Sequence, residues 1–106
     1  MTQARALERG RLIAIRGSAP ETSGGAGAQT RAILERIDRL LADAGIDKSR
    51  LLTAEVRLAD LALYDEHDAA WRQWVDASQA PVRVCSRAAL EPREALVEIV
   101  VTAARH

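Results

Sequence analysis

The chain has 106 residues, 48% of them apolar, and its 15 lysines and arginines balance its 15 aspartates and glutamates. That apolar share excludes a disordered chain and predicts one domain, residues 1–106, with a single core. The neutral net charge creates no overall field that would attract nucleic acid or a membrane surface. Aromatic residues make up 3% of the chain, too few for the stacking platforms of single-stranded nucleic-acid binders. We therefore expect neither nucleic acid nor a membrane as a partner.

The sequence also indicates a compartment. Cys85 is the only cysteine, so it cannot form an internal disulfide or, by itself, a thiolate metal site. The first residues lack the apolar run of a signal peptide, and no stretch approaches the roughly 18 apolar residues of a membrane span. His67 and His106 form no metal-ligand pattern, and the expected places are a helix surface for His67 and the tail for His106. A cytoplasmic protein is the expectation.

The first half of the chain predicts two strands and a helix. Residues 2–8 have a weak strand pattern and residues 11–17 (RLIAIRG) a stronger one. Turn-forming residues over 18–27 predict a loop. A helix follows, because apolar residues recur there at three- and four-residue spacing: Ile33, Leu34, Ile37, Leu40, Leu41 and Ala44. Gly45 predicts its end, since glycine accepts the left-handed conformation.

The second half predicts a strand, a helix and a hairpin. Residues 51–59 alternate, with apolar Leu52, Ala54, Val56 and Leu58 on one side. Residues 63–77 form a second amphipathic helix, and strands at 82–90 and 96–104 are joined by the turn EPRE. The order ββαβαββ predicts an α/β (α+β) fold in which a single mixed sheet carries both helices on one face.

The predicted hairpin sets the expected neighbours of its charged residues. If Leu90 lies opposite Ala95, paired residue numbers sum to about 185, which places Arg87 opposite Glu98. Val82 and Val84 then face the helices. The residues expected on the uncovered side of the sheet mix apolar side chains with charged ones and a thiol: Leu96, Val100, Arg16, Glu55, Arg57, Arg83, Cys85, Arg87 and Glu98. A mixed surface of this kind predicts a subunit interface with a site for a small anionic substrate, because guanidinium groups bind carboxylate and phosphate.

Four segments of the chain carry a resemblance to a known family. They are QTRAILERIDRLLADAGIDKSRLL (29–52), WRQWV (71–75), APVR (80–83) and VEIVVTAA (97–104). Three features within these segments carry the likeness. They are a Gln-Thr pair that opens the first helix, a Pro-x-Arg that starts the penultimate strand, and a glutamate fifteen residues after that arginine. In this order they resemble the Rid (YjgF-like) reactive intermediate deaminases, and the likeness runs from residue 9 onward.

The resemblance implies a chorismate-mutase-like fold and a homotrimer with ligand sites between subunits. It further implies hydrolysis of imines and enamines, such as those from 2-aminoacrylate, to 2-oxo acids and ammonia, with no metal or organic cofactor. Arg83 would hold the substrate carboxylate, Glu98 would act on the attacking water, and Cys85 would line the pocket. The hairpin register separates Arg83 from Glu98 by about 13 Å along the strands. If both act on one substrate, they should therefore come from neighbouring subunits.

The chain departs from the family pattern at three places. Arg16 stands where a serine or threonine usually precedes the glycine of the second strand, here Gly17. No tyrosine lies in the first nine residues, and Arg87 places a cation beside Glu98 in the predicted register. A second reading therefore stays open: a protein without useful deaminase activity that binds an anionic metabolite or a protein partner in the same cleft. A third is a pathway-specific enzyme that uses the same scaffold for another reaction. Each of the two main residues also has a purely structural explanation. Arg83 would form an intersubunit salt bridge, and Glu98 would pair with Arg87 across the strands.

Overall fold

A computed structural model of the protein describes residues 3–105. The strands are β1 (Gln3–Arg9), β2 (Leu12–Ser18), β3 (Leu51–Leu58), β4 (Val82–Arg87) and β5 (Val97–Ala104), and the helices are α1 (Gly25–Asp43) and α2 (Tyr64–Trp74). The predicted order ββαβαββ is confirmed, as is the single sheet with two helices. Thr2, part of the first predicted strand, and His106 lie outside the described residues.

The five strands lie in the order β1-β2-β5-β3-β4. All neighbours run antiparallel except β3 and β4, which are parallel. The core lies between the sheet and the helices. Its fully buried aliphatic side chains come from α1 and from alternate positions of the three inner strands: Ile33, Leu34, Ile37, Leu41, Ile13, Ile15, Val56, Leu58, Val97, Ile99 and Val101. Trp71 adds to them from α2. Within residues 3–105, no helix packs on the opposite side of the sheet, and we refer to that side as the open face.

Helix α1 begins earlier than the sequence predicts. Residues 25–27 were expected in a loop, but the helix starts at Gly25, after Gly24 with a φ of 107°. A glycine is needed in this first turn because α2 approaches closely: a Cβ on Gly27 would lie 3.3 Å from the carbonyl oxygen of Glu66. The predicted end is confirmed, because Gly45 has a φ of 78° and the amide of Ile46 bonds to the carbonyl of Leu41 at 3.0 Å.

The prediction of a C-terminal hairpin is wrong, because β4 and β5 do not pair with each other. Strand β4 pairs in parallel with β3, and β5 pairs with β2 and β3. Helix α2 makes the crossover that parallel strands require. The helix-facing side of β5 is fully apolar and buried, so β5 belongs in the middle of the sheet, while β4 forms its edge. Arg87 consequently lies beside Leu58, and Glu98 lies opposite Arg57 and Ser18, so the predicted Arg87–Glu98 pairing is corrected.

The same change inverts the two sides of β4. Arg83 is in register with Ala54 and Cys85 with Val56, both buried, so these two side chains face the helices. Val82 and Val84, which were expected in the core, lie on the open face and are 69% and 58% exposed. A smaller correction concerns Leu52, which is exposed because a bulge between Leu51 and Thr53 interrupts the alternation.

Gln29, the first residue of the Gln-Thr pair in α1, binds the backbone just before β5. The Gln29 side chain donates to the carbonyl of Glu94 at 3.0 Å and accepts from the amide of Leu96 at 2.9 Å. These bonds fix the chain as it enters β5. The position of Glu98, two residues further on, therefore depends on a buried side chain of the first helix.

Candidate functional site

Glu98 lies on the open face at the centre of a group of charges. Its Oε2 accepts from Arg16 Nε at 3.1 Å and from Arg16 Nη2 at 2.7 Å, and its Oε1 accepts from Arg57 Nη1 at 2.8 Å. Arg57 also donates to Glu55 at 2.8 Å. We call these four residues the Glu98 cluster. Adjacent positions on β2, β5 and β3 bring them together.

The electrostatics of this cluster keep Glu98 ionised. Burial works to raise the pKa of Glu98, but the hydrogen bonds from Arg16 and Arg57 outweigh it, and the pKa is lowered. Oε2 already accepts two bonds from Arg16, so a water molecule can bond to it only if Arg16 moves, whereas Oε1 accepts one bond from Arg57 and keeps capacity for another. The side chain of Arg16 is 71% exposed, which makes it the more easily displaced partner.

A shallow pocket of about 170 Å³ opens beside Glu98. Residues of β1, β2 and β5, together with Glu91, line it: Gln3, Ala4, Arg5, Arg16, Gly17, Ser18, Glu91 and Glu98. Gly17 has a packing role here, because a Cβ would lie 3.0 Å from Cγ2 of Ile33 on the helix side. The pocket thus presents both cationic and anionic groups to a small polar ligand.

Arg83 stands in a second group of charges, against α2. Its Nη2 donates to Asp68 Oδ1 at 2.7 Å and to the Tyr64 hydroxyl at 2.8 Å. The guanidinium carbon lies 5.5 Å and 5.3 Å from the ring centres of Tyr64 and Trp71. The hydrogen bond from Arg83 lowers the pKa of Asp68, so this carboxyl is ionised. We call Tyr64, His67, Asp68, Trp71 and Arg83 the Arg83 cluster.

His67 completes the Arg83 cluster from inside the core. It is fully buried, with Nδ1 3.1 Å from the Thr30 hydroxyl and Nε2 3.5 Å from Arg83 Nη1. Burial, and then the positive charge of Arg83, lower the pKa of His67 to about 4. The ring is therefore neutral at neutral pH. The expected helix-surface position is wrong, and the signal against it was the spacing of His67 from Tyr64 and Trp71 on one helix face.

The predicted site residues fall into two places. Glu98, Arg16 and Gly17 border the pocket on β2 and β5, whereas Arg83 and Cys85 lie on the helix-covered side of the edge strand. Cys85 is half-buried and burial raises its pKa, so it is a thiol and a poor nucleophile. Arg87, on the same strand, is exposed. The structure thus brings Arg16 to Glu98 but sets Arg83 on the opposite face of the sheet.

Six residues of these clusters were missing from the predicted site: Glu55, Arg57, Tyr64, His67, Asp68 and Trp71. Arg57 was expected on the uncovered side but not as a partner of Glu98, and Tyr64 and Asp68 were not linked to Arg83. Tyr64 and Asp68 are four residues apart and therefore share a helix face. Among residues 3–105, no group of three or more metal-ligating side chains is close enough to hold a metal ion. Within the same range, no helix has the length and hydropathy to span a membrane.

Comparison with known proteins identifies the class to which this architecture belongs. A family model described as Endoribonuclease L-PSP matches residues 3–105. Solved structures agree: a YjgF-family protein from Neisseria meningitidis is 39% identical with a TM-score of 0.89 over 95% of this chain and 85% of its own. An uncharacterized protein from Pseudomonas aeruginosa is 37% identical, with the same TM-score over 95% and 89%.

Curated relatives carry the name RutC family protein. The one from Haemophilus ducreyi is 46% identical over 76 residues, which cover 72% of this chain and 65% of the relative's length. YoaB from Escherichia coli is 40% identical over 76 residues, covering 72% and 67%. The chain therefore belongs to the YjgF/RutC (Rid) family, and the resemblance drawn from its sequence is confirmed.

Proposed function

We propose that this protein is a homotrimer that hydrolyses 2-imino acids and their enamine tautomers, of the 2-aminoacrylate type, to 2-oxo acids and ammonia. The pair Arg83 and Glu98 carries the proposal. These residues keep the spacing of the family's deaminases, and each is a charged group held by hydrogen bonds in a partly buried cluster. In this assignment Arg83 anchors the substrate carboxylate, and Cys85 lines the same side of the cleft.

The reaction needs little chemical assistance. The carbon of a C=N group is electrophilic, so fixing it beside a positioned water supplies much of the acceleration. Glu98 accepts a proton from that water as the oxygen bonds to the carbon, and the proton passes to nitrogen. The hydroxyl proton of the resulting carbinolamine then moves to nitrogen as the C–N bond breaks and its electron pair leaves with nitrogen, which releases ammonia and leaves the 2-oxo acid. If the water is bound at Oε2 of Glu98, Arg16 leaves that oxygen for this step, while Arg57 holds Oε1.

The separation of Arg83 and Glu98 supports a site built by two subunits. Strand β3 lies between β4 and β5, so the two backbones are roughly 10 Å apart, and the side chains leave opposite faces of the sheet. A substrate of a few heavy atoms cannot span that path within one protomer. The open face and the exposed Val82 and Val84 at its edge offer the surface on which a second copy would pack.

A mixed-subunit experiment tests this arrangement. Arg83→Ala and Glu98→Gln are each expected to be nearly inactive on 2-iminopropanoate generated in place by an amino-acid oxidase. Trimers formed by refolding an equal mixture should recover about a quarter of the wild-type rate, because one in four interfaces combines two intact halves. Light scattering should give three times the chain mass. If mixed trimers form without recovered activity, the shared site is wrong.

A binding function is the second candidate, and the double occupation of the Glu98 carboxylate favours it. Arg16 fills the acceptor sites of Oε2, and it stands where the family's deaminases usually carry a small hydroxyl residue. Arg16→Ser should distinguish the two candidates. For an enzyme limited by this contact, kcat is expected to rise roughly two- to fivefold, as for release of one exposed ion pair worth about 0.5–1 kcal/mol.

The control for this variant is Arg5→Ser, which removes an arginine lining the same pocket. A gain specific to Arg16→Ser would support the deaminase. If wild type and Arg16→Ser are both inactive while a 2-oxo acid still binds, the cleft is a ligand-binding site.

RNA cleavage, which the description of the family model names, has less support in this chain. General acid-base cleavage commonly uses histidine, and the one histidine among residues 3–105 is buried and neutral. The chain has no net charge with which to attract a polyanion.

A further inference from the structure

The Arg83 guanidinium already binds a carboxylate of its own chain. Asp68 Oδ1 lies 2.7 Å from Arg83 Nη2, and the Tyr64 hydroxyl accepts from the same nitrogen at 2.8 Å. The Asp68 carboxylate is 9% exposed and the Arg83 side chain 18%. Contacts this short between poorly exposed groups fix the direction of the guanidinium and remove part of its capacity for another anion.

The other oxygen of Asp68 is also paired. Arg72 Nε lies 2.7 Å from Oδ2, but the Arg72 side chain is 79% exposed and can turn into solvent. His67, behind the guanidinium, contributes no charge at neutral pH. Arg72, Asp68 and Arg83 together therefore carry one net positive charge. A single carboxylate on the ligand would bring this group to neutrality.

We infer that Asp68 is a positioning and specificity-determining residue: it fixes the direction of the Arg83 guanidinium and, as an internal counter-ion, weakens the grip of Arg83 on a ligand carboxylate. The inference rests on the proposed role of Arg83 as the carboxylate anchor. Asp68 and a bound ligand compete for the same guanidinium. The site then suits a monocarboxylate that must be released after each turnover, since an uncompensated buried arginine would hold the 2-oxo acid product more tightly.

Asp68→Asn separates the charge of Asp68 from its hydrogen-bonding shape. The amide oxygen can still accept from Arg83, while the competing negative charge is lost. With pyruvate as the probe, titrated by calorimetry or by NMR shifts, the variant is expected to bind about three- to tenfold more tightly than wild type, as for removal of one partly screened charge. KM for 2-iminopropanoate should fall in parallel. Asp65→Asn, an exposed change of equal charge on the same helix, should leave both quantities within twofold.

Asp68→Ala tests the positioning half of the inference. It removes the acceptor as well as the charge, so the guanidinium is no longer aimed. We expect a lower kcat than in Asp68→Asn, with the asparagine variant restoring most of the difference. A merely structural role would lower the melting temperature of both variants and would not tighten binding. Unchanged or weaker pyruvate binding in a folded Asp68→Asn protein would overturn the inference.

The same titration separates this inference from the proposed function. If wild type binds pyruvate through Arg83 and Asp68→Asn tightens that binding, but neither protein hydrolyses the imine, deaminase activity fails and the role of Asp68 stands. If wild type hydrolyses the imine and Asp68→Asn leaves both KM and pyruvate binding unchanged, the proposed role of Asp68 is wrong and the proposed deaminase activity is supported. If wild type does not bind pyruvate at millimolar concentration, the anchor is wrong and the inference falls with it.

Discussion

Arg83→Ala is expected to lower kcat/KM for 2-iminopropanoate about a hundredfold or more. Removing one partner of a buried, hydrogen-bonded charge pair costs roughly 2–5 kcal/mol, which corresponds to about thirtyfold to several thousandfold in binding. In this protein the guanidinium is held by Asp68 and Tyr64 and stacked near two aromatic rings, so its orientation is fixed before a ligand arrives. The measurement is the initial rate with imine generated in place, at several substrate concentrations.

Two further variants keep the Arg83 experiment decisive. Arg83→Ala leaves the buried Asp68 with Arg72 as its charged partner, so some loss of stability is expected as well. Arg83→Lys retains a cation for Asp68 but cannot donate in the forked geometry, and it should give intermediate activity. Arg36→Ala, on the exposed side of α1, controls for the loss of a surface arginine. If Arg83→Ala is folded and as active as Arg36→Ala, Arg83 does not hold the substrate.

His67 is expected to make the protein lose about 3 kcal/mol of unfolding free energy as the pH falls from 6.5 to 4. Its pKa is about 4 in the folded protein and 6.5 in the ordinary state. Between these values the unfolded chain binds a proton that the folded chain does not bind, so acid favours unfolding. Stability is therefore greatest above pH 6.5 and decreases toward pH 4. The cause is the buried position of the ring beside the positive charge of Arg83.

Urea unfolding of wild type and His67→Gln at pH 7.5, 6.0, 5.0 and 4.5 checks this expectation. Glutamine does not titrate in this range, so the variant should be less stable at pH 7.5 but nearly independent of pH. Asp68 and Glu98 have lowered pKa values, so the stability that each contributes is present above its ordinary pKa and is lost as the pH falls through the folded value. Their effect thus lies below about pH 4.5. A wild-type stability that is flat from pH 7.5 to 4.5 would contradict a neutral buried His67.

Much of the fold was predictable because it depends on short-range patterns. The spacing of Ile33, Ile37 and Leu41 defines α1, and the conformation of Gly45 fixes its end. The order of seven strands and helices follows from such local signals. Family membership was predictable for a related reason, since four quoted segments keep their order along the chain.

The composition of the site was less predictable, because it depends on which strands become neighbours. Strand β4 alternates between valines and a set of Arg83, Cys85 and Arg87, and the pattern does not say which set faces inward. The valines were assigned to the core on hydrophobicity. In the folded protein Arg83 takes the helix side because Asp68 and Tyr64 of α2 neutralise and hydrogen-bond it there. The sequence did contain a signal for the correct pairing of β4. It follows β3 and α2, and a strand, a helix and a strand in succession favour parallel pairing of the two strands.

The sequence by itself determined the seven elements, the buried stripe of α1, and the fifteen-residue spacing of Arg83 and Glu98, because these properties lie within short segments or are matters of spacing along the chain. Only the tertiary structure decided that β5 lies between β2 and β3, that Glu98 pairs with Arg16 and Arg57, and that Arg83 faces α2. Sheet order is a non-local property, set by which whole arrangement buries the most apolar surface while giving each buried charge a partner.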